Sequence, residues 1–526
     1  MERKKIMKAK KIIAMTMAAT LAVISAGCGE KETNEKTKIS ILFSEGAKTS
    51  YNDNWLMVEE IEKRQDVELE VQAVPASDYA TKRSIILASD DIPDILANTW
   101  ANQVSQYAVA GVMLPVSDYL DKLPNLQKVI DTWDLKSNID DISELDGKFY
   151  VLPAFEKEPV STYGMAVRQD ILEKHNLPEP TTYDELAELL VKLKELYPDS
   201  LGLGDIYNGN MLMSFTASCF GTKGGYSLPY GYVYDSNKKD WYFAPTSEQY
   251  KKLLTYFNNL HNAGCFDLEG FTQDSNQFKQ KIMNSKYLVI PCAGFAAAEE
   301  YTSMLRDMGN TEAKFKMLYP LAGPDGIRKG KPCSRYVGGN AMPASVAERS
   351  DFDKVMSFVD WLYYSEEAAV LSKLGVEGVT YSKNGEAFEM NKDIKTVFNV
   401  DGTKELQKDF GMNNHGIQTL VADLVPRNMM NLIEAPNVQE EKRYLIDNDM
   451  VDYDDPLVKF TEEQSENAKL LYTTLNEYTN TMMMKFIYGE ESLENWDKYV
   501  KKCKDLGSDK LISLVKKAWK ENNKKD

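Results

Sequence analysis

KISILFSEGAKTSYNDNWLMVEEIEKRQDVELEVQAV, residues 38–74, followed by DILA at 94–97, carries the pattern from which the fold is read. Lys38–Phe43 is a strand, and a polar loop follows it through Asn54. Leu56, Val58 and Ile61 then recur at helical spacing. Val67, Leu69 and Val71 alternate with Glu68, Glu70 and Gln72, which marks a second, half-buried strand. Ser77 or Asp78 caps another helix, closed by the turn Asp90-Asp91-Ile92-Pro93, and Asp94–Ala97 is a third short strand. Strand, helix, strand, helix, strand with short connections predicts a parallel sheet covered by helices on both faces.

A second unit of the same kind follows. Lys148–Pro153 and Met165–Arg168 read as extended. Thr182 and Glu185 form a capping box ahead of Leu186, Leu189, Leu190 and Leu193. Thr246 and Gln249 open a helix with Tyr250, Leu253, Leu254, Phe257 and Leu260 on one face, stopped by Gly264. Tyr287–Ile290 and Phe315–Leu318 are further strand candidates. The remainder is helical: Phe352–Tyr364, Ser465–Ile487, Leu493–Leu506 and Leu511–Lys520.

Ahead of the first strand, Arg3, Lys4, Lys5, Lys8, Lys10 and Lys11 run into the apolar stretch Ile12–Ile24, then Ser25-Ala26-Gly27-Cys28. The apolar run is too short to span a bilayer, so 1–27 reads as a secretory signal. The cysteine after Ala-Gly resembles the lipobox of bacterial lipoproteins and makes Cys28 the lipidation site, with Ser25 in place of the usual leucine. Residues 28–37 form a polar tether. The chain carries a net charge of −18, and loss of the basic leader leaves the remainder more acidic still. Such a surface repels phosphate backbones and argues against nucleic acid. No later segment is long and apolar enough to span a membrane, so the lipid is the expected membrane attachment. Cys219, Cys265, Cys292, Cys333 and Cys503 have neither CxxC nor metal-like spacing and read as packing residues.

Several short motifs occur in order along the chain: Ile92-Pro93-Asp94-Ile95, Tyr150-Val151-Leu152-Pro153, Gly164–Asp170, Pro180–Leu186, Leu321–Gly326, Gly375–Tyr381, and Lys485–Gly489 with Trp496–Val500. Their order and spacing resemble those of extracellular solute-binding proteins of bacterial carbohydrate ABC importers, in the long lipoprotein branch. The resemblance implies an α/β chain with a two-lobed periplasmic-binding-protein-like (type II) fold, each lobe a mixed, mainly parallel sheet flanked by helices, with a helical C-terminal extension. The expected first lobe is 38–155 with 320–375; the second is 156–319 with 376–526. It also implies an oligosaccharide ligand, ABC permease subunits as partners, and a monomer. Many relatives carry a calcium loop after the helix ending near Tyr197; Pro198–Asp205 offers too few oxygen ligands at alternating positions, so no metal or cofactor is expected.

Ligands of open α/β sheets bind outside the carboxyl ends of strands. Sugars require planar hydrogen-bonding groups and an aromatic face on which their C–H surface stacks. The loop after the first strand supplies Glu45 and Trp55, the latter either a cleft residue or the core of the next helix. The loop after the third supplies Asn98 and Trp100. Tyr207 and Asn210 lie in a glycine-containing loop, and Arg335 and Asn340 flank the chain's return to the first lobe. Phe295 stands where sugar-binding relatives often place a stacking tryptophan. Glu377 is either a ligand contact or part of a Gly-Val-Glu-Gly turn. Trp241, Trp361, Trp496 and Trp519 read as packing residues, and Arg168 as the partner of a nearby carboxylate.

Nothing points to catalysis. His175, His261 and His415 are scattered, and no nucleophile elbow, zinc-protease helix, P-loop or dinucleotide fingerprint occurs. The expectation is a non-enzymatic receptor; a carbohydrate-active hydrolase or lyase, and a receptor feeding a sensor kinase, are the alternatives.

Overall fold

The computed structural model describes residues 36–46, 49–89, 91–205, 209–267, 269–434 and 436–523, with only the backbone of 295–296 and 436–437. The expected leader, Cys28 and most of the tether lie outside the described residues.

The strands, in chain order, are β1 (Thr37–Glu45), β2 (Val67–Pro75), β3 (Ile95–Leu96), β4 (Val151–Phe155), β5 (Gly164–Arg168), β6 (Tyr232–Asp235), β7 (Asp240–Phe243), β8 (Val289–Cys292), β9 (Phe315–Met317), β10 (Tyr336–Ala341), β11 (Tyr381–Asn384) and β12 (Ala387–Met390). The first sheet has the order β2-β1-β3-β10-β4. Ile41 and Leu42 of β1 pair in parallel with Ile95 and Leu96 of β3. Both faces of β1 are covered, so Ile39, Ile41, Leu42 and Phe43 are fully buried as a near-continuous apolar run. β10 returns from the second lobe and inserts antiparallel between β3 and β4.

The second sheet, β8-β5-β9, departs from the mainly parallel expectation, since β5 pairs antiparallel with both neighbours. β5 leaves the lobe crossing while β8 and β9 run back towards it. The parallel component consists of single bridges, Gly202 to Tyr287 and Leu203 to Phe266. Thr182 caps its helix as expected, accepting the Glu185 N–H at 3.1 Å. Ser247, not Thr246, caps the helix Glu248–Asn262: its hydroxyl accepts the Tyr250 N–H at 3.2 Å, while the Thr246 hydroxyl donates to the Phe243 carbonyl. The second core takes in Trp241, and the C-terminal helices Glu462–Ile487, Trp496–Leu506 and Ser508–Asn522 close it with Leu475, Phe486, Trp496 and Cys503.

The expected boundary at residue 376 is corrected by packing. Met412, Ile417 and Val421 belong to the first core, with Ile41, Phe43 and Leu152. The segment lies along the outer side of β4, where Phe155 N–H donates to the Leu420 carbonyl. Three segments therefore join the lobes, at about 156–163, 318–335 and 448–458. They are laced together: Glu156 N–H donates to Arg335 O, Gly330 N–H to Met450 O and Cys333 N–H to Asp452 O. Val160, Cys333, Leu445, Ile446, Met450 and Val451 form a small apolar cluster among them. No helix among the described residues is long and apolar enough to cross a membrane.

Candidate functional site

β4 runs straight into a lobe crossing, so the sheet edge at its carboxyl end faces the second lobe. The carboxyl ends of β1 and β3 and the start of β10 lie at the same edge, by parallel pairing of β1 with β3 and antiparallel pairing with β10. Glu45 ends β1, half-buried, and its Oε1 accepts the Tyr51 N–H at 2.9 Å. Asn98 follows β3 in the left-handed region (φ 46°), which asparagine tolerates. Its N–H donates to Asn340 Oδ1 at 3.0 Å and its carbonyl accepts from Arg83 Nη1 at 2.9 Å.

Trp100 opens the helix Ala101–Val109 and remains 39% exposed. Its ring stands edge-on to Tyr336, centroids 5.4 Å apart at 82°. Gly338, at φ 112°, makes room for it, since a Cβ there would lie 3.1 Å from the indole. The Tyr336 hydroxyl accepts the Ala101 N–H at 2.8 Å and pins the two elements together. An aromatic wall thus stands at the edge facing the second lobe.

Three expected site residues have other work. Trp55 is core: it is 2% exposed, packs on Phe43 and Tyr51, and donates from Nε1 to the Lys408 carbonyl at 2.9 Å. Asn340 is buried and braces the Asn98 turn. Arg335 spends its guanidinium on the carbonyls of Trp133 (2.8 Å), Asp134 (3.3 Å) and Glu156 (3.4 Å), clamping the crossing. Glu377 is exposed in a turn closed by Gly378 N–H to Tyr381 O, and the structure brings it to none of these residues.

On the second lobe, Gly164 of β5 pairs with Cys292 of β8, so the end of β8 faces the crossings. Gly294 (φ 103°) then starts the helix Phe295–Asp307, which places the Phe295 backbone at this edge; its side chain lies outside what the structure describes. Tyr207 lies outside the described residues. Asn210 is half-buried at the start of the helix Asn210–Cys219, at the same edge through the parallel bridges of Gly202 and Leu203. Gly225 (φ 53°) approaches so closely that a Cβ would fall 2.2 Å from the Asn210 carbonyl. Tyr226, 48% exposed, is thereby delivered beside Asn210.

Sequence reasoning missed Tyr226 and a polar group at the first lobe's edge: Glu156, Lys373, His415, Gln418 and Asp423. Glu156 directly follows β4; Asp423 Oδ2 accepts the Lys157 N–H at 2.7 Å. Gly416 (φ 105°) lets the chain press on Ala97 and Phe43, which carries His415 to the ends of β1 and β3. Gln418 Nε2 lies 3.2 Å from His415 Nδ1. Glu156, His415 and Asp423 are exposed yet crowded. Burial, then Asp423, raises the Glu156 pKa; burial lowers that of Lys373 against the pull of Asp423 and Glu156; burial and Lys373 lower that of His415. The loops after the first and third strands and the loop before Asn210 gave local signals; the polar group comes from segments distant in sequence.

Arg168 pairs bidentately with Asp170 at the opposite end of β5, as expected. A cavity of about 780 Å³ lies there, lined by Arg168, Lys174, Tyr197, Arg306 and Lys314. It is remote from the lobe crossings and holds none of the residues above.

Two α/β lobes, three crossings and an aromatic wall on the facing edge agree with the match of residues 55–369, more than half the chain, to the family described as bacterial extracellular solute-binding protein. The chain belongs to that family. It is 23% identical over 471 residues to the polygalacturonan/rhamnogalacturonan-binding protein YtcQ of Bacillus subtilis, covering 88% of each chain. It is 27% identical over 406 residues to lipoprotein LipO of the same organism, covering 75% of this chain and 78% of that one. Among solved structures, the substrate-binding protein FusA of S. pneumoniae in complex with kestose superposes with a TM-score of 0.71 at 19% identity, over 92% of this chain and 99% of that one. The fold is therefore that of the type II binding proteins, with a helical C-terminal extension. The family, YtcQ and FusA are all named as binding proteins.

Proposed function

We propose that the protein is an exported receptor, tethered through lipidated Cys28 and residues 28–37, that captures an oligosaccharide between its lobes and delivers it to an ABC permease without chemical change. The observation carrying this reading is the Trp100–Tyr336 wall beside Asn98 and the Glu156–Lys373 group, at the edge where the first lobe's strands end towards the second. The rings supply a stacking face for the C–H surface of a sugar. The carboxylates, the ammonium and the Asn210 edge supply hydrogen-bonding partners for its hydroxyls. A ligand touching both lobes favours the closed arrangement because only there are all contacts made.

Thermal-shift screening against plant, mucin and microbial oligosaccharides tests this. A true ligand at 100 times its dissociation constant adds about 2.7 kcal/mol of stability, a shift of a few degrees. A panel without any shift, or new reducing ends appearing on incubation, contradicts the receptor reading.

A further inference from the structure

The cavity at the end of β5 opposite the lobe crossings has no part in the receptor reading. Its volume of about 780 Å³ is that of a small-molecule site. Four cationic side chains from separate stretches of the chain line it: Arg168 at the end of β5, Lys174 on the helix Gln169–His175, Arg306 on the helix Phe295–Asp307 and Lys314 just ahead of β9. Three carboxylates accompany them, those of Asp170, Glu173 and Glu312. The lining thus keeps one positive charge, in a chain whose net charge is −18.

Little of that positive charge is spent within the protein. Of the four cations, only Arg168 forms an ion pair among the described residues. Its Nε and Nη2 donate to Asp170 at 2.8 and 2.7 Å, while Nη1 is buried without a hydrogen-bond partner. Asp170 is itself shared with the Lys314 N–H at 3.1 Å. Arg306 Nε donates to the Ala313 carbonyl at 3.0 Å, which ties that guanidinium to the turn leading into β9. Glu173 accepts from Gln169 Nε2 at 3.1 Å. Cations gathered at one cavity repel each other unless an anion joins them. A phosphate group suits this set, because it carries close to two negative charges and three acceptor oxygens, and both guanidinium and ammonium groups bind it. A carboxylate offers two oxygens in one plane, and that of Asp170 already occupies the matching edge of Arg168. We propose that this cavity is a second binding site, for a phosphate group free or borne on a small organic molecule, held by Lys174, Arg306 and Lys314 and backed by the buried charge of Arg168. The site is independent of the oligosaccharide reading.

Calorimetric titration of the purified protein in about 0.15 M sodium chloride tests the assignment, with inorganic phosphate, glycerol 3-phosphate, glycerol and acetate as probes. Inorganic phosphate should bind at one site per protein with a dissociation constant of about 1 mM or tighter. Glycerol 3-phosphate binding more tightly marks an organic phosphate as the ligand; binding no more tightly marks the free oxyanion. Glycerol should not bind. Lys174→Met, Arg306→Gln and Lys314→Met should each weaken phosphate binding about 10-fold or more, the usual effect of losing a hydrogen bond to a charged group. Lys128→Met removes the same charge from an exposed position on the helix Pro124–Thr132 of the first lobe and should leave phosphate binding unchanged. Melting curves without phosphate establish which variants are folded, and those variants decide. Absence of binding by both phosphate probes overturns the proposal. So does phosphate binding that survives every folded cavity variant, or acetate bound as tightly as phosphate.

Discussion

Two tryptophans near the strand ends show how little local sequence separates a core residue from a surface one. Trp55 and Trp100 each follow a strand-to-helix loop, yet one is 2% exposed and the other 39%. Trp55 is claimed by residues 408–411, more than 350 positions away: Lys408 accepts its N–H, and Gly411 leaves space for its ring. Trp55→Ala should therefore cost about 3–5 kcal/mol, read as a lower melting temperature without sugar. Trp100→Ala should cost about 1 kcal/mol or less, since the ring covers mainly Tyr336 and Gly338. Reversed melting results would exchange the two assignments. Asn340 and Arg335 were legible as polar residues near the cleft, but not as braces, because their partners at Asn98 and Trp133 come from other elements.

At the scale of elements, periodicity revealed the strands and helices, while pairing direction needed three dimensions. Phe352–Tyr364 has the bounds read from its spacing. The antiparallel order β8-β5-β9 was hidden because each strand has only three to five residues, too few for the pattern to tell one direction from the other. The segment around Ile417 was misassigned because it carries no periodicity and owes its place to β4. The Arg168–Asp170 clasp was readable, being local. It fixes the end of β5, and Asp170 also accepts the Lys314 N–H at 3.1 Å. Burial alone would raise the Asp170 pKa, but the Arg168 hydrogen bonds outweigh it and the net shift is downward. The clasp's contribution is thus present above the ordinary carboxyl pKa of about 4 and is lost as pH falls through the lower folded value. Asp170→Asn should cost about 3 kcal/mol at neutral pH by stranding a buried guanidinium, and less in acid; melting curves at pH 7 and pH 3 measure both. An equal loss at both pH values would contradict the account.

For the whole molecule, the lobes were legible as two successive α/β units, but the third crossing and the convergence of Glu156, Lys373, His415 and Asp423 on one floor were not. Those residues lie up to 267 positions apart in sequence. If Cys28 carries the lipid, Cys28→Ala should leave the protein folded and move it from the membrane to the soluble fraction, because Cys28 precedes the first strand, which starts at Thr37. Retention on membranes washed with high salt would refute that attachment. The receptor reading itself depends on the edge between the lobes. Its most direct test is calorimetric titration of the wild-type protein and Trp100→Ala with the oligosaccharide that stabilises the wild type most. The account predicts one sugar per protein and an affinity at least about 30-fold weaker in the variant, the loss of about 2 kcal/mol that follows removal of an aromatic hot spot. Equal affinities in the two proteins, with the variant still folded, would contradict it.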